Sequence, residues 1–127
     1  MLFRSIGRDP RNRTRMAVVA SGRAALTRYR PLVAGDGATL IECSLATGRT
    51  HQIRVHLHAI GHPLVGDPVY RRGAERGPAV LGTFMRQALH ATRLSFDHPS
   101  SGDRVSFASP LPADFRQLLA SLGMSYR

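Results

Sequence analysis

A strand that leads almost directly into a helix, near the middle of the sequence, constrains the fold of this chain most. Residues 39–45 alternate apolar and polar side chains, which is typical of a half-buried strand. The strand is predicted to end at Thr47 and Gly48, and the following residues favour a helix with Thr50 as its N-cap and Gly61 at its end. A strand joined so closely to an amphipathic helix predicts a domain in which helices pack on a sheet.

Two predicted hairpins flank this junction. The first spans residues 16–33, and the second joins residues 88–96 to residues 104–108 through a turn rich in Asp, Pro, Ser and Gly. Residues 1–15 are predicted to be an irregular basic leader. Near the end of the chain, four apolar side chains fall on one face of a predicted helix. These side chains are Phe115, Leu118, Leu119 and Leu122.

Together these elements predict an α+β fold. We expect a mixed, largely antiparallel sheet with helices packed on it, in one domain that covers residues 1–127. A family resemblance carried by residues 48–70 implies that these strands form only half of such a sheet. Some strand edges are therefore expected to lack a partner and to favour self-association.

The charge of the chain points to a polyanionic partner. Eighteen basic residues stand against eight acidic ones, which gives a formal net charge of +10, and every basic residue among them is an arginine. Guanidinium groups bind phosphate at two points and stack on bases, so the excess favours nucleic acid. Genome composition explains the absence of lysine equally well, but it does not explain the net charge.

Cysteine content and hydropathy exclude several classes of protein. Cys43 is the single cysteine, so no internal disulfide can form, and its place on an apolar strand face predicts a core residue rather than a catalytic thiol. The N-terminus has no apolar signal-peptide region, and no apolar run reaches the length of a membrane span. We expect a cytoplasmic protein that is neither secreted nor inserted in a membrane.

The strand-to-helix junction brings together groups that attract anions. Free backbone N–H groups at the helix start combine there with the side chains of Arg49, His51 and Gln52, and with Arg54 one turn later. Such a junction suits either a phosphate of RNA or a carboxylate in an active site. Surface arginines on an amphipathic helix are the simpler interpretation of the spacing taken alone.

Four histidines in and after the predicted helix do not form a metal site. His58 lies on the same face as His51 but about 10 Å further along the axis, and His56 points to another side. His58 and His62 have ligand spacing only if the helix continues past Gly61. We therefore predict no metal site.

Residues 48–70, GRTHQIRVHLHAIGHPLVGDPVY, resemble the signature of RluA/RluD-type RNA pseudouridine synthases. Four other segments are similar to that family in the same order, so the resemblance covers nearly the whole chain. They are IGRDPRNRTRMAVV, GRAALTRY, RQALHATRLSFDHPSSG and PLPADFRQLL.

The resemblance implies part of a catalytic domain that isomerises uridine to pseudouridine in structured RNA, without a metal or an organic cofactor. It implies that Arg54 is the motif arginine that pairs with the catalytic aspartate, since a buried carboxylate needs a cation to stay ionised. Ribosomal RNA is the expected substrate and tRNA the alternative. The predicted RNA-binding residues come from the leader and the junction. They are Arg8, Arg11, Arg13, Arg49, Thr50, His51 and Gln52.

The chain departs from the family at the nucleophile. The family carries its aspartate in an HRLD..TSG segment, and this string does not occur in the sequence. None of the six aspartates is expected to replace it, and Asp67 is interpreted as a loop residue. We expect the chain to be the C-terminal part of the catalytic domain of a longer enzyme, inactive without the N-terminal half of that domain.

The alternative is a non-catalytic basic RNA-binding module that uses the leader and the junction to hold phosphates. A ribosome-associated structural protein is a third hypothesis. The enzyme fragment and the RNA-binding module both predict salt-sensitive binding. An upstream reading frame that encodes an RLD motif would support the enzyme over the module.

Overall fold

The computed structural model describes residues 1–71 and 78–126. The described elements, in chain order, are β1 (Leu2–Phe3), β2 (Ile6–Arg8), β3 (Met16–Val18), β4 (Leu26–Ala34), β5 (Thr39–Leu45), α1 (Gln52–Ala59), α2 (Val80–Thr83), β6 (Arg93–Asp97), β7 (Arg104–Ala108) and α3 (Ala113–Ser121). The strands form three small antiparallel sheets, in the orders β1-β4-β5, β2-β3 and β6-β7. The predicted α+β class is confirmed.

The β4–β5 hairpin forms the centre of the largest sheet. β5 has the bounds that the alternation predicts, and it pairs with β4 from Thr27 opposite Leu45 to Ala34 opposite Thr39. The register shifts after Pro31, where the strand lacks a backbone N–H to donate. Cys43 is only half-buried, so its predicted place in the core is wrong in part.

The N-terminal fifteen residues are not an irregular leader, which corrects the prediction for that segment. β1 pairs with β4, and β2 pairs with β3, so the hairpin predicted for residues 16–33 is also wrong. Leu2 and Ile6 are buried and anchor the two short strands. The basic residues around them hid this apolar signal. The connecting loop is closed by Asp9, whose carboxylate accepts the Arg11 N–H at 2.9 Å.

Helix α1 lies one residue inside the predicted bounds, and it ends before Gly61, which has a φ of 83°. Its N-cap is His51 in the left-handed region, with a φ of 53°, so the prediction that Thr50 caps the helix is wrong. Near the middle of α1, buried His56 lies 2.8 Å from Oγ1 of Thr27 and donates from Nε2 to the Arg4 carbonyl at 3.0 Å. One imidazole thus joins α1 to β4 and to the N-terminal segment.

Two clusters of buried apolar side chains hold the elements together. The larger one contains Leu81 of α2 and the predicted apolar face of α3, which packs against the turn end of β4 and β5. All four side chains of that face are buried, so the prediction of this helix is confirmed. The smaller cluster contains Ile6, Ala25, Val55 and Tyr70, and it lies beside the strand-to-helix junction.

The second predicted hairpin is confirmed as β6 and β7. It presents an apolar face to solvent, since Leu94, Phe96 and Phe107 are all exposed, and the two phenylalanine rings stack at 6.0 Å. Among the described helices, none has the length and apolar character that crossing a membrane requires.

Candidate functional site

A cleft of about 520 Å³ opens between the β2–β3 hairpin and the junction that precedes α1. Three arginines, Arg8, Arg23 and Arg49, line it together with Thr50. In the part of the chain that the structure describes, no acidic side chain lines this cleft. We call it the arginine cleft. A concave surface with this charge suits a phosphate backbone.

Local hydrogen bonds fix the walls of the arginine cleft. Nη1 of Arg8, at the end of β2, donates to the Arg13 carbonyl at 3.0 Å, and Nε of Arg49 donates to the Ala24 carbonyl at 2.9 Å. Arg23 forms an isolated antiparallel bridge with Ile6. Its neighbour Gly22 must be glycine, because a Cβ at that position would overlap the backbone of Ile6.

Gln52, predicted to bind RNA, is buried in the structure and supports the junction from inside. Gln52 is 3% exposed, and its side-chain oxygen and nitrogen each make two hydrogen bonds within the chain. Oε1 accepts the Thr47 hydroxyl at 2.7 Å and the Arg49 N–H at 2.9 Å. Nε2 donates to the Leu26 carbonyl and to Oγ1 of Thr27. By holding the Arg49 backbone, Gln52 supports the arginine cleft without lining it.

Arg54 forms a buried ion pair with Asp67, which the sequence interpretation had assigned only a loop role. Nε of Arg54 donates to Oδ2 at 2.8 Å and Nη2 donates to Oδ1 at 2.9 Å, in the bidentate geometry that is strongest for this pair. Arg54 is 8% exposed and Asp67 is 3% exposed. Arg54 therefore has an anionic partner within this chain, which the sequence interpretation did not assign to it.

The electrostatics of the pair follow from this geometry. Burial would raise the pKa of Asp67, but the hydrogen bonds from Arg54 and from the Val69 and Tyr70 N–H groups outweigh it, and the pKa lies below its usual value. The hydrogen bond to Asp67 likewise raises the pKa of Arg54. Both groups are therefore charged at neutral pH.

Tyr70 lies at the centre of the groups around this pair. Its ring centroid is 5.1 Å from Cζ of Arg54 and 5.0 Å from Cζ of Arg15. Its hydroxyl accepts the Met16 N–H at 3.0 Å and lies 2.9 Å from Nδ1 of His51. Burial, and then the charge of Arg54, lower the pKa of His51, so the ring is neutral at pH 7. We call Tyr70, Arg15, His51, Arg54 and Asp67 the Tyr70 cluster.

The structure separates the predicted site residues into groups. Arg8, Arg49 and Thr50 line the arginine cleft, whereas His51 and Arg54 belong to the Tyr70 cluster. The two sites adjoin, because Met16 lines the cleft and its N–H donates to Tyr70. Arg11 and Arg13 are exposed in the β2–β3 loop and are not among the residues that line the cleft.

Sequence reasoning missed four side chains of these sites, namely Arg15, Arg23, Asp67 and Tyr70. Arg15 lies 3.2 Å from Oδ2 of Asp9 through Nε, and it packs on Tyr70. Arg23 lies in the GRAALTRY segment, and Asp67 lies in the GDPVY end of the signature, so the matched segments were the available signal.

Comparisons with known proteins agree with the resemblance. A family model described as RNA pseudouridylate synthase matches residues 5–59. The chain is 52% identical, over 120 residues, to a ribosomal large subunit pseudouridine synthase D of Nitrosomonas europaea, covering 92% of this chain and 35% of that protein. It is 53% identical, over 125 residues, to the protein of the same name from Neisseria meningitidis, covering 92% of this chain and 33% of that protein.

A solved structure shares the fold. Human RNA Pseudouridylate Synthase Domain Containing 1 superposes with a TM-score of 0.73 at 30% identity, covering 87% of this chain and 47% of that one. The chain spans about a third of the length of the bacterial relatives that it matches. These similarities favour the enzyme family over a non-catalytic module, and by sequence and by fold the chain belongs to the RNA pseudouridine synthase family.

Proposed function

We propose that the chain is the C-terminal part of the catalytic domain of an RNA pseudouridine synthase, which isomerises uridine in structured RNA. The convergence of Arg8, Arg23 and Arg49 on one cleft, beside the buried Arg54, carries this proposal. The names of the bacterial relatives support ribosomal RNA as the substrate over tRNA, and with it a cytoplasmic place of action.

The arginine cleft holds the RNA in this proposal. Arg8 and Arg49 each commit one guanidinium N–H to a backbone carbonyl, which fixes the group while leaving other N–H donors for phosphate oxygens. Contacts of this kind position a substrate without reading its sequence. Arg11 and Arg13, on the exposed loop beside the cleft, extend the basic surface to neighbouring phosphates.

Arg54 keeps the catalytic carboxylate ionised in this proposal. The reaction cleaves a glycosidic bond, rotates the base and rejoins it through carbon, and its nucleophile is an aspartate that must be charged. A cation beside a carboxylate lowers its pKa by favouring the charged form. The aspartate is supplied by residues outside this chain, because the family's HRLD..TSG string does not occur in the sequence.

A chimeric enzyme tests the proposal. The region of the Nitrosomonas europaea protein that matches this chain is replaced by the chain, and tritium release is measured from ribosomal RNA that carries 5-tritiated uridine. We expect the chimera to release tritium and the isolated 127-residue chain to release none. In the chimera, Arg54→Ala should lower the rate by about 100-fold or more.

The matched control is Arg116→Ala, which removes an exposed arginine of α3 outside the cleft and should leave the rate unchanged. A chimera that folds and binds RNA yet forms no pseudouridine would contradict the proposed function. Activity in the isolated chain would contradict the placement of the nucleophile.

A further inference from the structure

Arg54 has two edges that can bind a carboxylate, and Asp67 fills only one of them. The Nε and Nη2 edge is taken by Asp67. No group among the described residues accepts a hydrogen bond from Nη1, and the polar and ring contacts of Arg54 in this part of the chain are those with Asp67 and Tyr70. Among the described residues, the single buried side-chain nitrogen that makes no hydrogen bond is Nε of Arg15, whose contact with Asp9 is an ion pair without hydrogen-bond geometry. Nη1 of Arg54 also makes no hydrogen bond but is not buried in this way, so solvent reaches it.

Asp67 is itself held firmly. Its Oδ1 accepts the Val69 N–H at 2.9 Å and the Tyr70 N–H at 3.1 Å, in addition to the bond from Arg54. The preceding residue, Gly66, has a φ of 75° and lies against the Arg86 carbonyl, so the shape of this loop is fixed on both sides. A carboxylate with this many constraints determines where the guanidinium lies, rather than following it.

Tyr70 limits the remaining freedom of Arg54. Tyr70 is 2% exposed, and its ring centroid lies 5.1 Å from Cζ of Arg54. The backbone N–H of the same residue binds Asp67. One residue therefore positions both members of the ion pair, and the guanidinium plane has little room to turn.

We propose that Asp67 is a positioning residue. It binds Nε and Nη2 of Arg54, so that the Nη1 edge of the guanidinium faces the carboxylate of the nucleophile. This inference rests on the proposed function for the identity of the second carboxylate. It adds that the arginine is oriented by this chain before that carboxylate binds. The preorganisation comes from a carboxylate that itself takes no part in bond making.

Asp67→Asn in the chimera gives the kinetic test. The amide keeps the shape and an acceptor for the backbone N–H groups, but it loses the charge and one acceptor for Arg54. We expect kcat to fall about 10-fold to 100-fold, with KM for RNA within about 3-fold. The acidic limb of the pH profile of kcat should move to higher pH, because a displaced Arg54 no longer lowers the pKa of the nucleophile.

Asp114→Asn is the matched control. Asp114 binds Arg86 in the same bidentate geometry, at 2.9 and 3.0 Å, on the exposed side of the molecule. It should leave kcat and the pH profile unchanged. A loss of activity in Asp67→Asn that only follows the folded fraction, with an unmoved acidic limb, would show a structural role and overturn the inference.

A second measurement uses the 127-residue chain alone. It tests the inference even if the chimera is inactive. In arginine side-chain NMR of the ¹⁵N-labelled chain, Arg54 should show separate Nη signals, because its Nε–Cζ rotation is restricted. In Asp67→Asn the two signals should merge. Free rotation of Arg54 in the unmodified chain would overturn the inference whatever the chimera does, whereas restricted rotation with an inactive, folded chimera would contradict only the proposed function.

Discussion

Two arginines of this chain bind a carboxylate through the same pair of nitrogens, and they differ in burial. The Arg54–Asp67 pair is nearly closed to water, whereas the Arg86–Asp114 pair is exposed. Breaking a buried pair leaves an unpaired charge in a poorly solvated place, while an exposed charge is taken up by water. The two pairs therefore contribute to stability very differently despite nearly identical distances.

Asp67→Ala should destabilise the chain severely. The expected loss is about 3 to 5 kcal/mol of unfolding free energy, because Arg54 and two backbone N–H groups lose their acceptor. Urea denaturation followed by circular dichroism measures it. Asp114→Ala is the control and should cost much less, so equal losses in the two variants would contradict the importance of burial.

The same ion pair predicts a dependence of stability on acid. Because the pKa of Asp67 is lower in the folded than in the unfolded chain, its contribution is complete above the unfolded value of about 3.9. The contribution is lost as the pH falls further, through the lowered folded value. Asp67→Asn, which has no carboxylate to protonate at this position, should lose less stability than the unmodified chain between pH 5 and pH 2.5, measured by urea denaturation at each pH. Parallel pH curves for the two proteins would argue against the pKa shift.

The elements that sequence reasoning found are those with a long periodic signal. β5, α1 and α3 repeat apolar side chains over seven to nine residues, and each was located within about one or two residues of its observed bounds. β1 and β2 have only two and three residues, so no period exists to detect. The N-cap of α1 was predicted wrongly for another reason. The Arg49 N–H binds the Gln52 side chain, and this hydrogen bond depends on the surrounding fold, which no local pattern shows.

The residues of the candidate site were likewise predictable only where the sequence carries a local signal. Arg54, Arg49 and Thr50 were found because they lie in one contiguous signature. Asp67 was misjudged, because a carboxylate after a glycine fits a turn as well as an ion pair, and only the folded loop brings it to Arg54. Contacts between residues far apart in sequence, such as that of Arg15 with Tyr70, leave no local pattern.

The loop that carries Asp67 depends on a glycine at its start. Gly66→Ala places a methyl group in the left-handed region and against the Arg86 carbonyl, so the loop must move. Gly61→Ala is the control, since Gly61 has a similar φ of 83° but open space around its Cβ position. Thermal unfolding should show a larger loss for Gly66→Ala. An equal loss in both would mean that backbone strain alone, without the clash, accounts for the effect.

At the scale of the whole molecule, the net charge of +10 predicts that the proposed binding to RNA depends on salt. The arginine cleft concentrates part of this charge. Arg49→Ala should lower the slope of log K against log salt by about 1 and weaken binding to different RNA sequences alike. Filter binding to structured RNA across a salt series measures both. Arg116→Ala changes the net charge equally and is the control. A slope reduced as much by that variant would show that RNA binding is spread over the whole surface and not concentrated in the arginine cleft.

The hydrogen bond from His56 to the Arg4 carbonyl bears on the order in which the chain takes shape during synthesis. β1 also pairs with β4, so the segment that holds β1 and Arg4 cannot complete its contacts until translation has passed α1. The segment before β2 therefore leaves the ribosome before its partners in β4 and α1 are made. Its hydrogen bond to α1 forms only after His56, 52 positions further along the chain, has been synthesised.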